Sequence, residues 1–153
     1  MNHFNGATVL VVGGEGFIGQ HLVSKLCNLK AYVVSLSTKV HSETKAHKYL
    51  SVDVRDKDRL YRALNGVDYV VHAAATKIVP TAEYDPFECV KTNVLGAMNL
   101  IDACIDKGVK RIISLSTDKA SAPSNLYGAT KLASDKLFVA SNSSGISRVL
   151  PLA

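Results

Sequence analysis

The chain has 153 residues, 47% of them hydrophobic and 20% charged, and its 18 Lys and Arg against 13 Asp and Glu leave a net charge of +5. A chain of that length suits one domain and buries roughly 70% of its unfolded surface, so a core needs no disulfide or metal. Collagen-like, disordered and disulfide-rich chains are excluded by composition.

The first residues, Met1-Asn2-His3-Phe4-Asn5-Gly6, carry neither a basic segment nor an apolar one, and so do not read as a secretion signal. The longest apolar runs, such as residues 9–12, fall far short of the ~20 residues that span a bilayer, so no membrane partner is expected. Cys27, Cys89 and Cys104 lack metal-ligand spacing and read as small buried hydrophobes of a reduced, cytoplasmic protein without a bound metal. Basic residues are interleaved with Asp56 and Asp58 rather than gathered into a patch, which describes a solvated surface and not a nucleic-acid interface.

In chain order, the β-branched run 8–12 ends at Gly13 and predicts a buried strand. Ile18, Leu22, Leu26 and Leu29 recur at the helical period and predict a helix over 17–29. Strands follow at 31–36 and 49–52, then a helix capped by Asp56 and stopped by Asn65-Gly66, then a strand at 69–73. A long helix over 88–107 ends at Gly108, a strand covers 111–115, a helix covers 125–141, and 142–145 reads as a loop. No repeat or linker divides the chain. This alternation predicts an α/β fold, a doubly wound parallel sheet of Rossmann type, as one domain over 1–153.

The first strand enters the first helix through Gly13-Gly14-Glu15-Gly16-Phe17-Ile18-Gly19. Glycines at 13, 16 and 19 let the main chain approach a pyrophosphate, and the helix start offers N–H donors and a positive dipole end. The loop, with Phe17 and Ile18, is therefore the candidate dinucleotide site. An acidic residue at the end of the second strand would bind a ribose 2′-hydroxyl. Here Ser35-Leu36-Ser37-Thr38-Lys39 offers hydroxyls and a cation, which favours a 2′-phosphate on Ser37 and Lys39, hence NADP, with NAD as the alternative.

Tyr127 and Lys131 stand four apart at the start of the last helix and share a face. A neighbouring ammonium stabilises phenolate, which makes a tyrosine a usable acid and base. The fifth strand delivers Ser114-Leu115-Ser116-Thr117-Asp118-Lys119 to the carboxyl edge of the sheet, where such folds place ligands. A hydroxyl, a carboxylate and an amine thus reach the same edge as Tyr127 and the glycine loop.

The glycine loop, His72-Ala73-Ala74-Ala75 and Tyr127-x-x-x-Lys131 resemble the extended short-chain dehydrogenase/reductase family. The runs 116–120 and 125–131, with Lys77, Pro80, Glu83-Tyr84, Pro86, Glu88-Cys89 and Lys91-Thr92-Asn93, are similar to the inverting UDP-N-acetylglucosamine 4,6-dehydratases of bacterial polysaccharide biosynthesis. The resemblance spans about 8–142. It implies that Gly13, Gly16 and Gly19 hold a pyrophosphate, that Asp53 and Val54 border the adenine, and that Ala73, Ala74 and Ala75 pass under the cofactor. It implies that Tyr127 deprotonates O4 of the sugar, with Lys131 holding the nicotinamide ribose, and that Thr117 and Lys77 contact the substrate. Asp118 would protonate the departing 6-hydroxyl and Lys119 would take the C5 proton. The C4 ketone acidifies that proton, water leaves across C5–C6, and the hydride returns at C6. Lys119 must be neutral to act as a base, with Lys77 and Lys131 as the neighbouring cations.

Val12 stands where the family usually has threonine. The family also continues beyond the position of Ala153 into a region that clasps the nucleotide sugar, so a C-terminally truncated Rossmann domain is expected. The 88–107 helix is apolar on several sides (Val90, Leu95, Met98, Leu100, Ile101, Cys104, Ile105), more than a surface helix needs. The family pairs the corresponding helices, which implies a homo-oligomer through 88–107 and 125–141. Two alternatives stand beside the dehydratase: a nucleotide-sugar 4-epimerase, and a nucleotide-binding or dimerisation module without turnover.

Overall fold

The computed structural model describes residues 2–38, 45–73, 83–116, 120, 123–142 and 148–152, the last five by their backbone. Six strands, β1 (Thr8–Val12), β2 (Tyr32–Ser37), β3 (Lys48–Ser51), β4 (Tyr69–His72), β5 (Arg111–Leu115) and β6 (Arg148–Leu152), form one sheet in the order β3-β2-β1-β4-β5-β6. Every neighbouring pair is parallel. Among the described residues the helices include α1 (Phe17–Asn28), α2 (Lys57–Ala63), α3 and α4 (Leu126–Ser141). Helix α3 runs as Pro86–Val90, a π-helical turn Lys91–Leu95 and Gly96–Lys107.

Because strand side chains alternate between faces, the apolar runs of β1 and β2 feed two cores at once. Val9, Val11, Val33 and Val71 pack with Val23 and Leu26 of α1. Leu10, Val12, Val34, Leu36, Val70 and Ile112 point the other way and meet Leu60 of α2, Leu100 and Cys104 of α3 and Phe138 of α4. Each fully buried side chain of this size contributes about 1.5–3 kcal/mol of transfer free energy. The expected doubly wound architecture is what the structure has. The three cysteines are free, with Cys89 and Cys104 buried, and burial pushes the Cys104 thiol up to about 12.

Three differences from the sequence reading have physical causes. The stretch after Asn142, read only as a loop and tail, contains β6, whose Pro151 pairs in register with Ser114. A proline has no N–H to give a ladder, and β6 lies at the sheet edge, where that loss is tolerated. Helix α3 starts at Pro86, two residues early, because proline suits the first helical position. The π turn at Lys91–Leu95 has no local sequence signal; it interrupts a helix that otherwise reads as regular.

The strand order places β1 beside β4, so the chain leaves β1 toward β2 and β3 and returns to cross over on the other side. The crevice outside the carboxyl ends of the strands at such a reversal is where open α/β sheets bind ligands.

Candidate active site

At the end of β1 the chain turns sharply. Gly13 has φ +85°, a left-handed conformation that side chains disfavour, and its N–H donates to the Leu36 carbonyl of β2 at 2.7 Å. The Gly16 N–H donates back to the Gly13 carbonyl at 3.0 Å and closes the turn. Gly16 is then the N-cap of α1, with no side-chain cap and no acidic residue in the first turn. A Cβ on Gly19 would lie 2.0 Å from the Gly13 carbonyl oxygen and 2.8 Å from the Gly14 Cα, so α1 approaches the loop more closely than any side chain permits. These are the features a pyrophosphate cradle requires, and the loop fits a dinucleotide. Phe17 beside it is 79% exposed and Ile18 half exposed.

The other carboxyl ends converge on the same edge. After β3, Asp53 accepts from the Arg55 backbone N–H at 3.0 Å and from its guanidinium at 3.0 and 2.8 Å. That guanidinium holds the Asp53 carboxyl below its usual range, and Arg55 also pairs with Glu88 of α3. Val54 is buried, and its carbonyl accepts from Asn99 at 3.1 Å, which fastens the loop to α3. After β4, the Ala73 N–H donates to the Val12 carbonyl at 2.8 Å.

Helix α4 brings Tyr127 and Lys131 to this edge, both buried. Asn125 caps the helix, its side chain accepting from the Gly128 N–H at 2.8 Å, and the Glu83 carboxylate accepts from the Leu126 N–H at 2.6 Å. Lys131 Nζ donates to the Leu115 carbonyl at the end of β5, at 3.1 Å. A buried ammonium needs such partners to offset its desolvation. Tyr127 packs with Cys89 and Leu126. The π turn carries Asn93 inward, where its amide donates to Thr130 Oγ1 at 3.1 Å, and Thr130 in turn donates to the Tyr127 carbonyl at 2.8 Å. Asn93 and Glu83 therefore brace the tyrosine-bearing turn. Both stood in the motif that carried the resemblance, but neither had been given a role, because a helix read as regular does not turn Asn93 toward Thr130.

Of the residues singled out from sequence, Gly13, Gly16, Phe17, Ile18, Gly19, Ser37, Asp53, Val54, Ala73, Tyr127 and Lys131 lie along this edge. Lys39, Ala74, Ala75, Lys77, Thr117, Asp118 and Lys119 fall outside the described residues. Among the described residues no metal-binding group of His, Cys, Asp or Glu is present, and no helix is long and apolar enough to cross a membrane.

His72, the last residue of β4, is fully buried against the Phe138 ring, and burial with the nearby Lys131 charge brings its pKa down to about 3. The unfolded chain therefore takes up a proton below about 6.5 that the folded chain refuses until about 3. This contribution to stability is complete above pH 6.5 and falls by about 1.4 kcal/mol per pH unit on acidification. Asp53 acts in the same direction, but only below the ordinary carboxylate range. Urea unfolding at pH 7.5, 6 and 5 should show the decline, and His72→Asn should flatten it. An equal slope in that variant would assign the acid sensitivity elsewhere.

Strand order, glycine turn and helix start together define a Rossmann-type fold of the short-chain dehydrogenase/reductase kind. Residues 9–149 match the family described as polysaccharide biosynthesis protein, and the chain belongs to that family. It is 50% identical over 149 residues to an inverting UDP-N-acetylglucosamine 4,6-dehydratase of Campylobacter jejuni, covering 91% of this chain and 45% of that protein. A UDP-glucose 4-epimerase of Rickettsia typhi is 37% identical over 148 residues, 87% of this chain and 43% of the epimerase. Among solved structures, the dTDP-glucose 4,6-dehydratase DesIV of Streptomyces venezuelae, with NAD bound, superposes with a TM-score of 0.83 at 28% identity, over 94% of this chain and 55% of that one. The chain thus spans about half the length of these relatives.

Proposed function

We propose that this chain is the dinucleotide-binding, proton-transferring part of a nucleotide-sugar 4,6-dehydratase acting on UDP-N-acetylglucosamine. The observation that carries the reading is the pair Tyr127 and Lys131, buried together on α4 at the edge that holds the glycine loop, with Lys131 fixed to the end of β5. The 50% identity to the C. jejuni dehydratase supports the substrate class.

Gly13, Gly16 and Gly19 would hold the pyrophosphate, Asp53 and Val54 the adenine, and Ala73 the passage beneath the cofactor. A nicotinamide dinucleotide, NAD or NADP, supplies the hydride acceptor and donor there. Tyr127 takes the proton from O4 of the sugar, and Lys131 holds the ribose and stabilises the phenolate. Lys119 accepts the C5 proton once C4 is a ketone, and Asp118 gives a proton to the leaving 6-hydroxyl. Thr117 and Lys77 contact the sugar. Simple C4 epimerisation needs neither Asp118 nor Lys119, which is why elimination is preferred to the epimerase reading.

Exposed apolar residues on the outer side of α3 and α4, Leu95, Met98 and Val139, together with the 78%-exposed Phe87, suit pairing with a second copy. Three free cysteines suit the reducing cytoplasm.

Incubation with UDP-N-acetylglucosamine and dinucleotide should give a 4-keto-6-deoxy product, lighter by one water in the mass spectrum. Lys119→Ala should stop elimination while dinucleotide binding persists. Binding without any product would leave a nucleotide-binding module, and formation of UDP-N-acetylgalactosamine would establish the epimerase.

A further inference from the structure

Helix α2 buries Leu60 in the core, yet beside it a cavity of about 420 Å³ lies between the helix and the edge strand β3. That volume falls within the range of small-molecule sites. Leu50 of β3 and Val52 just beyond it, two apart and so on one face, form an apolar floor with Val67, which precedes β4. The wall includes Thr8, the first residue of β1, at the opposite end of that strand from Gly13. The rim is basic. Arg59 and Arg62 stand three apart on α2 and share a face, and Lys48 opens β3 across from them. All three are exposed. Arg55, Lys57, Lys91 and Lys110 each form an ion pair, whereas these three have none among the described residues, nor a side-chain hydrogen bond. Asp58 stands one turn before Arg62 without pairing to it, and the Asp56 carboxylate accepts from the Arg59 backbone N–H as the helix cap. Single solvated cations are ordinary on a protein surface; here three surround one concavity whose floor is apolar.

We propose that this cavity is a second binding site and that it takes a small organic phosphate, with the phosphoryl oxygens on Arg59, Arg62 and Lys48 and the apolar body on Leu50, Val52 and Val67. Guanidinium groups present planar forks of N–H donors that match phosphoryl oxygens two at a time, and the ammonium adds a point charge. Three positive charges around one mouth attract a dianion more strongly than a singly charged carboxylate. An inorganic anion would leave the apolar floor in water, and a neutral apolar compound would leave the cations unused. An organic phosphate uses both. No residue of the glycine loop, α3 or α4 lines the cavity, so the inference stands whether or not that loop holds a dinucleotide.

Phenyl phosphate titrated into the whole chain, with methyl and amide NMR signals followed, tests the site. The Leu50, Val52 and Val67 methyl signals should shift together along one saturable curve. Phenyl phosphate should bind about tenfold or more tightly than inorganic phosphate, and phenol should leave these signals unmoved at the same concentrations. The double variant Arg59→Gln, Arg62→Gln keeps good helix formers at two exposed positions and should stay folded by circular dichroism. Its affinity for phenyl phosphate should fall by about tenfold or more. No shift at the floor methyls, or an affinity unchanged in the double variant, would overturn the proposal. Shifts confined to the amides of Gly13, Gly16 and Gly19 would put the phosphate on the glycine loop and overturn it as well. Equal affinity for inorganic phosphate would overturn the assignment of an organic ligand.

Discussion

Gly19→Ala should lower dinucleotide affinity by about a hundredfold. The new Cβ would lie 2.0 Å from the Gly13 carbonyl oxygen, 2.8 Å from the Gly14 Cα and 2.9 Å from the Gly13 carbonyl carbon, all of them backbone atoms. No rotamer change relieves such contacts, so the turn at Gly13 or the start of α1 must move. That turn is fixed by the Gly13 hydrogen bond to Leu36, and its displacement disturbs the cradle itself. Overpacking of this kind costs about 1–3 kcal/mol of stability, which a domain of this size survives. The variant should therefore remain folded by circular dichroism and fail in titration. Wild-type affinity in Gly19→Ala would show that the ligand does not sit on this loop.

Phe138→Ala should give the larger loss of stability, about 3–5 kcal/mol. Its ring is fully buried, belongs to the core beneath α2, α3 and α4, and lies 5.4 Å from the His72 ring, centroid to centroid. Because Tyr127 and Lys131 ride on the same helix, loosening its anchor should also weaken ligand binding. The neighbouring Val139 is 47% exposed, and Val139→Ala should stay within about 0.5 kcal/mol of wild type. Urea denaturation of the two variants distinguishes a packed α4 from a loosely docked one. A loss below about 1 kcal/mol for Phe138→Ala would contradict the packing described.

The central strands were readable because a parallel sheet covered on both faces favours apolar runs rich in β-branched residues, and β1, β2 and β5 carry Val or Ile pairs at their centres or ends. The cap at Asp56 and the stop at Gly108 were equally local signals. Strand β6 was missed because Pro151 argues against a strand unless its place at an edge is known. The site divides in the same way. The glycine loop and the Tyr127–Lys131 spacing are periodic or positional and show in the sequence. The Glu15–Ser35 bond, the Arg55 link between Asp53 and Glu88, and the Glu83 contact with Leu126 join residues 20, 33 and 43 positions apart, and only the fold brings them together.

The claim beneath all of this is that the turn between β1 and α1 holds a nicotinamide dinucleotide. Calorimetric titration of the folded chain with NAD, repeated on Gly19→Ala, tests it most directly. One site per chain in the wild type and its near-complete loss in the variant is the predicted result. A folded chain that binds neither NAD nor NADP, or a variant that binds as the wild type does, would contradict it.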